Sequence, residues 1–222
     1  GEFNLEYEAL DLNQLSRDVL TIVEMRAAET GITLEYGKDS DEVKYPYVYG
    51  SALHLRQIFV NVYSNAIKYN HVGGRIVTHF KLLGQEGDQV RYEWQISDTG
   101  IGMKPEFLEH IFEPFAQERT DARSIYRGTG LGMAIVKSLI DRMGGTIEVT
   151  SEEGVGSTFR IKLSFRIAAK EELIEKKERL KEGSVEGLHL LMAEDNELNA
   201  EIAKLQLEEA GAEVTVVKDG QQ

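Results

Sequence analysis

Three polar residues share one face of an otherwise apolar helix pattern between Leu55 and Tyr69. Asn61, Asn65 and Lys68 are separated by four and then three positions, which places them on one narrow face at about 100° per residue. An unpaired amide or ammonium in an apolar layer costs roughly 2–7 kcal/mol, so this face needs partners rich in acceptor oxygens. A magnesium-bound polyphosphate meets that need, because an amide oxygen suits the hard cation and an ammonium suits a phosphate. A solvated helix face is the alternative that these residues alone leave open.

Two glycine-rich segments follow this helix pattern. The first is Asp98-Thr99-Gly100-Ile101-Gly102-Met103, directly after a strand pattern, and the second is Gly128-Thr129-Gly130-Leu131-Gly132, directly before a helix pattern. Glycine permits positive φ and a close approach of the backbone, and the N–H groups at a helix N-terminus favour phosphate. Each cluster alone is weak evidence, since Gly-x-Gly is most often only a turn.

The surrounding patterns predict the elements that position these residues. Asp11 followed by Gln14 predicts a helix start, Gly31 predicts its end, and Ser51 is a suitable N-cap for the helix with the asparagine stripe. Strand patterns separated by a glycine-containing turn predict antiparallel pairs. The predicted strand pairs are 75–83 with 90–98 and 146–151 with 157–165, and a helix is predicted over 133–143.

Composition excludes several classes of protein. The 222 residues contain no cysteine, which excludes disulfides and thiolate metal sites. No segment approaches the roughly 18–20 apolar residues of a membrane span. The formal net charge of −13 disfavours a nucleic-acid partner. We therefore expect a cytoplasmic location, with the membrane status of a longer parent protein left open.

The order of the motifs resembles that of the N, G1, F and G2 boxes in the ATP-binding catalytic domain of sensor histidine kinases. The asparagine helix is followed by the Asp98 segment, by Phe112-x-x-Phe115 and by the Gly128 segment. The resemblance covers roughly Leu5 to Phe165, and the domain belongs to the superfamily shared with gyrase, Hsp90 and MutL. It implies a two-layer α/β (α+β) sandwich of the Bergerat, or GHKL, type, with a mixed, mostly antiparallel sheet covered by helices on one face.

The resemblance also implies roles at the matching positions. Asp98 would accept a hydrogen bond from the adenine amino group, and Asn65 would bind Mg²⁺. Lys68 and Asn61 would face the phosphates, and these two are the expected catalytic residues. The other expected nucleotide contacts are Tyr69, Gly100, Ile101, Gly102, Gly128, Thr129, Gly130, Leu131, Gly132 and Thr158.

Asn61 bears on the kind of reaction. ATP-hydrolysing relatives carry a glutamate at this position that activates water, and an asparagine cannot take a proton. The resemblance therefore implies transfer of the γ-phosphoryl group to a histidine on a dimerisation helix, in two-component phosphorelay signalling, rather than hydrolysis. None of the histidines here, including His54, resembles the His-Glu motif of such a helix, so we do not expect the chain alone to autophosphorylate. The alternatives are a GHKL-type ATPase clamp and a nucleotide-binding module without catalysis.

The chain divides into three parts by pattern and charge. Residues 1–168 form the expected catalytic domain, and residues 169–186 read as a charged helical linker. Residues 187–222 predict a parallel strand–helix–strand unit and resemble the opening of a response-regulator receiver domain. There, the pair Glu194-Asp195 after the first strand would match the Mg²⁺-binding acidic pair. The implied parent is a hybrid histidine kinase, whose own or a partner protein's receiver domain is an expected partner.

The apolar residues of this last part are expected to be poorly covered. Leu188, Leu190 and Leu191 would lie on a strand with an open edge, which favours pairing with another chain. We expect the segment to be ordered in one of two ways. It packs either on a second copy, as a homodimer, or on its own catalytic domain through the helix predicted at 169–182.

Overall fold

The computed structural model describes residues 7–116, 130–174, 185–194 and 197–217. Its helices and strands are, in chain order, β1 Glu8–Asp11, α1 Leu12–Glu29, β2 Thr33–Tyr36, β3 Tyr47–Gly50, α2 Ala52–Lys68, β4 Arg75–Glu86, β5 Gln89–Asp98, α3 Pro105–Leu108, α4 Gly132–Arg142, β6 Thr146–Glu152, β7 Gly156–Ile167, β8 His189–Ala193, α5 Glu197–Glu209 and β9 Glu213–Val217. Within these ranges, none of the helices has the length and apolar character that a bilayer crossing requires.

Seven strands form one mixed sheet in the order β1-β3-β7-β5-β4-β2, and β6 pairs with β7 beside that path. The pairs are antiparallel except β2 with β4, which is parallel. Both predicted hairpins, β4–β5 and β6–β7, are confirmed. The sheet brings the ends of β5 and β7 together, with Asp98 opposite Ser157.

One face of the sheet carries the core. Alternate residues of β5, such as Tyr92 and Ile96, are almost fully buried, as are Ile161 and Leu163 on β7. Successive strand residues point to opposite faces, so these side chains share the face that α1, α2 and α4 cover. Each such side chain contributes roughly 1.5–3 kcal/mol by leaving water. The two-layer sandwich with helices on one face is therefore confirmed.

The starts of α1 and α2 are stabilised in different ways. Asp11 caps α1 as predicted, because its Oδ1 accepts from the N–H groups of Asn13 (2.8 Å) and Gln14 (3.3 Å). Ser51 is the N-cap residue of α2, but its side chain does not bond to the backbone. Its hydroxyl lies 2.7 Å from Nδ1 of His54, so the prediction holds for the position and was wrong for the side-chain cap.

A buried ion pair joins α1 to α2. The Arg56 Nη2 group donates to Oδ2 of Asp18, and the two side chains are only 10% and 3% exposed. Taking both charges out of water is costly, and their mutual attraction and hydrogen bonding offset that cost only while both partners are present. The pair therefore ties the relative placement of the two helices to two specific residues.

The C-terminal segment forms the predicted strand–helix–strand unit. β8 and β9 pair in parallel, and α5 connects them. Of the three leucines expected on this strand, Leu191 is exposed, Leu190 is half-buried, and Leu188 is exposed but lies just before β8. The unit packs on the main domain through α5, a contact that was not among those expected. Of that linker, residues 170–174 are helical, and residues 175–184 lie outside the described part of the chain.

Candidate functional site

Asp98 places a carboxylate at the end of an apolar strand face. It continues the inward alternation of Trp94 and Ile96 on β5, so it points into the layer between sheet and helices. Its Oδ1 accepts from the N–H of Gly100 (2.8 Å) and, more weakly, from the N–H of Ser157 (3.3 Å). Within the described residues both bonds use Oδ1, which leaves Oδ2 available to an amino group.

Burial raises the pKa of Asp98 above its ordinary value, and the two N–H donors lower it by a smaller amount. The carboxylate is consequently protonated on acidification at a higher pH than an exposed aspartate would be. A ligand that needs Asp98 as a charged acceptor should lose affinity over the same range of falling pH.

The segment after Asp98 lies against the end of α2. The N–H of Ile101 donates to the carbonyl oxygen of Tyr69 at 2.9 Å. A Cβ atom at Gly100 would come within 2.3 Å of that same carbonyl oxygen, which no side chain tolerates. Gly100 is therefore required for the close approach of the loop to the helix that carries Asn61 and Asn65.

The same segment is held on its other side by the β6–β7 turn. Gly102 has φ +66°, and a Cβ there would lie 1.9 Å from the carbonyl oxygen of Glu152. The N–H of Gly154 donates to the carbonyl oxygen of Ile101 at 2.7 Å. Ile101 itself is about half exposed. The loop is thus fixed between a helix end and a hairpin turn, next to the Asp98 carboxylate.

The second glycine segment begins α4. Gly132 is the first residue of this helix, and a Cβ there would lie 3.4 Å from the Oδ1 of Asn61. The amide of Asn61 therefore faces a helix N-terminus, where N–H groups and the helix dipole favour an anion. Leu131 occupies the N-cap position without a side-chain cap.

Gly130 connects the second glycine segment to the predicted Phe-x-x-Phe motif. Its carbonyl oxygen accepts from the N–H of Phe115 at 3.0 Å, and it has φ +70°. Phe115 is the one non-glycine residue in the described ranges with positive φ, and its ring is exposed. Gly128 and Thr129, which were predicted to contact nucleotide, lie outside the described residues.

The polar face of α2 lies between the two glycine segments. Asn61, Asn65 and Lys68 are half-buried, whereas the apolar side chains Ile58, Phe59, Val62, Ala66 and Ile67 are buried. The Lys68 Nζ lies 4.9 Å from the ring centroid of Tyr69, whose side chain is 40% exposed. The ammonium is therefore near the helix end where the Asp98 loop makes contact.

Thr158 is not brought to this site. The strand register places Thr158 on the outer face of the sheet, where its hydroxyl donates to the Ser97 Oγ at 2.9 Å. Ser157, which was not among the predicted residues, lies on the face of Asp98 and is buried. The alternation of Phe159, Ile161 and Leu163 into the core was a signal in the sequence that would have selected Ser157.

The residues present fit a magnesium ion held mainly by a ligand's own oxygens. Within the described ranges, no three side chains of His, Asp or Glu come together as a metal site. The Asn65 amide offers an oxygen of the type that Mg²⁺ takes, and Mg²⁺ usually keeps water and phosphate oxygens as its other ligands. The site can thus combine an acceptor for an amino group, two glycine loops, a helix N-terminus and one ammonium.

Comparison with known proteins agrees with this geometry. Residues 50–167 match the family model described as histidine kinase-, DNA gyrase B- and HSP90-like ATPase. This match begins just before α2 and ends at the last residue of β7, so it includes every described element of the site.

Among curated proteins, the sensor histidine kinase AruS of Pseudomonas aeruginosa is 34% identical over 218 residues, covering 96% of this chain and 21% of that protein. The autoinducer 2 sensor kinase/phosphatase LuxQ of Vibrio harveyi is 31% identical, covering 99% of this chain and 26% of that protein. The chain thus spans about a fifth to a third of the length of the curated relatives it matches.

Among solved structures, full-length ShkA in complex with AMPPNP has a TM-score of 0.61 and 28% identity, covering 100% of this chain and 42% of that chain. The mycobacterial sensor histidine kinase MprB has a TM-score of 0.57 and 27% identity, covering 72% of this chain and 100% of that chain. The catalytic domain of the histidine kinase ThkA has a TM-score of 0.55 and 26% identity, covering 71% and 95%.

Proposed function

This chain belongs to the family of histidine kinase-, DNA gyrase B- and HSP90-like ATPases, and we propose that it binds Mg-ATP and donates the γ-phosphoryl group to a histidine on a dimerisation helix. The observation that carries the proposal is the Asp98 carboxylate, whose Oδ1 is fixed by two backbone N–H groups. The other oxygen, Oδ2, can then accept a hydrogen bond from the adenine amino group at the floor of an apolar layer.

Each part of the nucleotide has a group that suits it. Asp98 accepts from the base, and the glycine loop at Gly100 lets the base lie against the backbone. The N-terminus of α4 and the Lys68 ammonium attract the phosphates. Asn65 would hold Mg²⁺, which would supply positive charge to neutralise the phosphate oxygens.

The transfer requires positioning more than proton removal. A neutral imidazole nitrogen of the acceptor has a lone pair, so it can form the nitrogen–phosphorus bond while the bond from the γ-phosphorus to the bridging oxygen breaks and ADP leaves. Asn61 cannot act as a base toward water, which disfavours hydrolysis. The residue therefore supports an assignment as a kinase over an ATPase clamp.

His54 is unsuited to be the acceptor. Its side chain is buried on α2, and its Nδ1 is paired with the hydroxyl of Ser51. Burial, together with a smaller effect of the Arg142 charge, lowers the pKa of the ring. We therefore place the acceptor histidine on a dimerisation helix outside this chain.

We also propose that residues 187–222 are the first part of a receiver domain, so that the parent protein is a hybrid histidine kinase. The support is the parallel pair β8–β9 with its connecting helix, and the exposed side chains of Leu191 and Val216. Glu194 follows β8, as the acidic pair of a receiver does, and its N–H donates to the carbonyl oxygen of Val217 at 3.1 Å. Asp195 lies outside the described residues.

Asn65→Ala tests the metal assignment. We expect affinity for ATP to fall by about tenfold in Mg²⁺, because a ligand to the ion is lost, and to change little in a chelator. Calorimetric titration in both buffers measures this. The matched control is Lys68→Ala, which should weaken ATP more than adenosine in either buffer. Equal losses for Asn65→Ala in both buffers would mean that Asn65 contacts nucleotide or only packs.

Phosphoryl transfer is tested by adding dimerisation helices of a related kinase, with ATP labelled at the γ-phosphate. We expect acid-labile, base-stable label on the added helices and none on this chain. Steady release of free phosphate without the helices would favour the ATPase clamp. Label on His54 would overturn the assignment of the acceptor to another segment.

A further inference from the structure

Helix α5 packs against the main domain. Leu205 packs against the main hydrophobic core, whereas Ala200 and Ile202, which are 7% and 2% exposed, are buried but do not belong to that core. α5 contacts α2 as well as its own strand β9. The helix is therefore shared between the C-terminal unit and the helix that carries the nucleotide-binding residues.

Two arginines of the main domain pair with two glutamates of α5. The Nη2 of Arg26 on α1 lies 2.7 Å from Oε1 of Glu201, and the Nη2 of Arg56 on α2 lies 3.5 Å from Oε2 of Glu209. The two glutamates are eight residues apart, which is about 12 Å along a helix. The pairs thus fix α5 at two points, one on α1 and one on α2.

The charges of the two surfaces are complementary. Residues 187–222 contain eight acidic and two basic residues. On the main domain, the Nη1 of Arg26 also donates to the Ser64 Oγ of α2 at 3.5 Å, in addition to the pair with Glu201. Opposite charge steers association and fixes register more than it adds affinity. Salt should therefore weaken the contact, because the Arg26–Glu201 pair is partly exposed.

The C-terminal unit needs this contact in order to be folded. Two strands and one helix bury too little apolar surface to be stable alone, and an isolated helix of 13 residues is marginal in water. The other side of its two-stranded sheet is open, since Leu191 and Val216 remain exposed. The order of α5 therefore reports directly on its contact with α1 and α2.

We propose that the face of α1 and α2 that carries Arg26 and Arg56 is a docking surface for the acidic C-terminal unit of the same chain. The occupant is α5, which packs on the main core through Leu205 and is aligned by the ion pairs of Glu201 and Glu209. The surface lies on a different face of α2 from the nucleotide site, because Asn61, the nearest residue of that site on α2, is five residues from Arg56, about 7.5 Å along the helix and about 140° around it. Docking and nucleotide binding can then be measured independently.

The test is amide hydrogen exchange of the 197–209 segment in the 222-residue chain without nucleotide. We expect Arg26→Glu and Glu201→Arg each to speed exchange about tenfold or more, and the double variant to return most of the protection. Glu208→Arg is the matched control. This substitution makes the same change of charge on α5, but Glu208 pairs with Lys204 of α5 itself and not with the main domain. It should leave exchange within about twofold of the parent chain.

Each outcome decides the proposal. Restoration in the double variant supports docking through this ion pair. Unchanged exchange in Arg26→Glu, or equal effects of Glu201→Arg and Glu208→Arg, would overturn it. Protection that falls on tenfold dilution of the chain would assign the surface to a second copy instead. ATP affinity of the same variants is a separate readout that should not change, so failure of docking and failure of the nucleotide assignment are distinguishable.

Discussion

Asp98→Asn should remove most of the affinity for adenine nucleotides while leaving the fold intact. The asparagine Oδ1 can still accept from the N–H groups of Gly100 and Ser157, so the loop keeps its bonds. The amide NH₂ then replaces Oδ2 and presents a donor to the adenine amino group, which is itself a donor. Loss of a hydrogen bond to a charged group costs roughly 1.5–3 kcal/mol, which is about ten- to 150-fold in affinity.

Calorimetric titration with ATP measures this loss, and thermal unfolding checks that the fold is retained. Thr158→Ala is the matched control, because the Thr158 hydroxyl donates to Ser97 on the opposite face of the sheet. It should bind ATP as the parent chain does. Parent-like affinity of Asp98→Asn would remove Asp98 from its assigned role, and a large loss in Thr158→Ala would contradict the assignment of faces.

Asp18→Ala should cause a large loss of stability, although Asp18 lies outside the nucleotide site. It leaves the Arg56 guanidinium buried without its carboxylate, and removal of one partner from a buried pair typically costs about 3–5 kcal/mol. Glu209 does not replace Asp18, since it is 3.5 Å away and more exposed. The free energy of unfolding from urea denaturation measures the effect.

A double variant separates the ion pair from simple packing. Asp18→Leu with Arg56→Met replaces both charges by apolar groups, which is often neutral or stabilising for a buried pair. We therefore expect it to recover most of the stability that Asp18→Ala loses. If the free energy of unfolding of Asp18→Ala is within about 1 kcal/mol of that of the parent chain, the pair is solvated rather than buried.

The fold and the centre of the site were predictable because their signals are local. The stripe of Asn61, Asn65 and Lys68 is a helix periodicity, and the positions of Gly100 and Gly102 follow from a strand that ends at Asp98. The structure adds the reason for those glycines, which is the backbone of Tyr69 on one side and of Glu152 on the other.

Features that depend on contacts between distant segments were not predictable. Asp18 and Arg56 lie on apolar helix faces, so each is recognisable as a charge in a buried position, but their pairing across 38 residues is a property of helix packing. The contact of Arg26 with Glu201 spans 175 residues. Thr158 is a different case, because the alternation of buried residues along β7 is visible in the sequence and places Ser157, not Thr158, on the face of Asp98.

The central claim is that this site recognises adenine through a hydrogen bond to Asp98. The most direct test compares the affinities for ATP and GTP, by calorimetric titration of the unaltered chain in Mg²⁺. Guanine presents a carbonyl oxygen where adenine presents its amino group, so it would place an acceptor against the Asp98 carboxylate. We expect ATP to bind at least about tenfold more tightly than GTP, with one ATP per chain. Equal affinity for the two nucleotides, or no binding of ATP, would contradict the account.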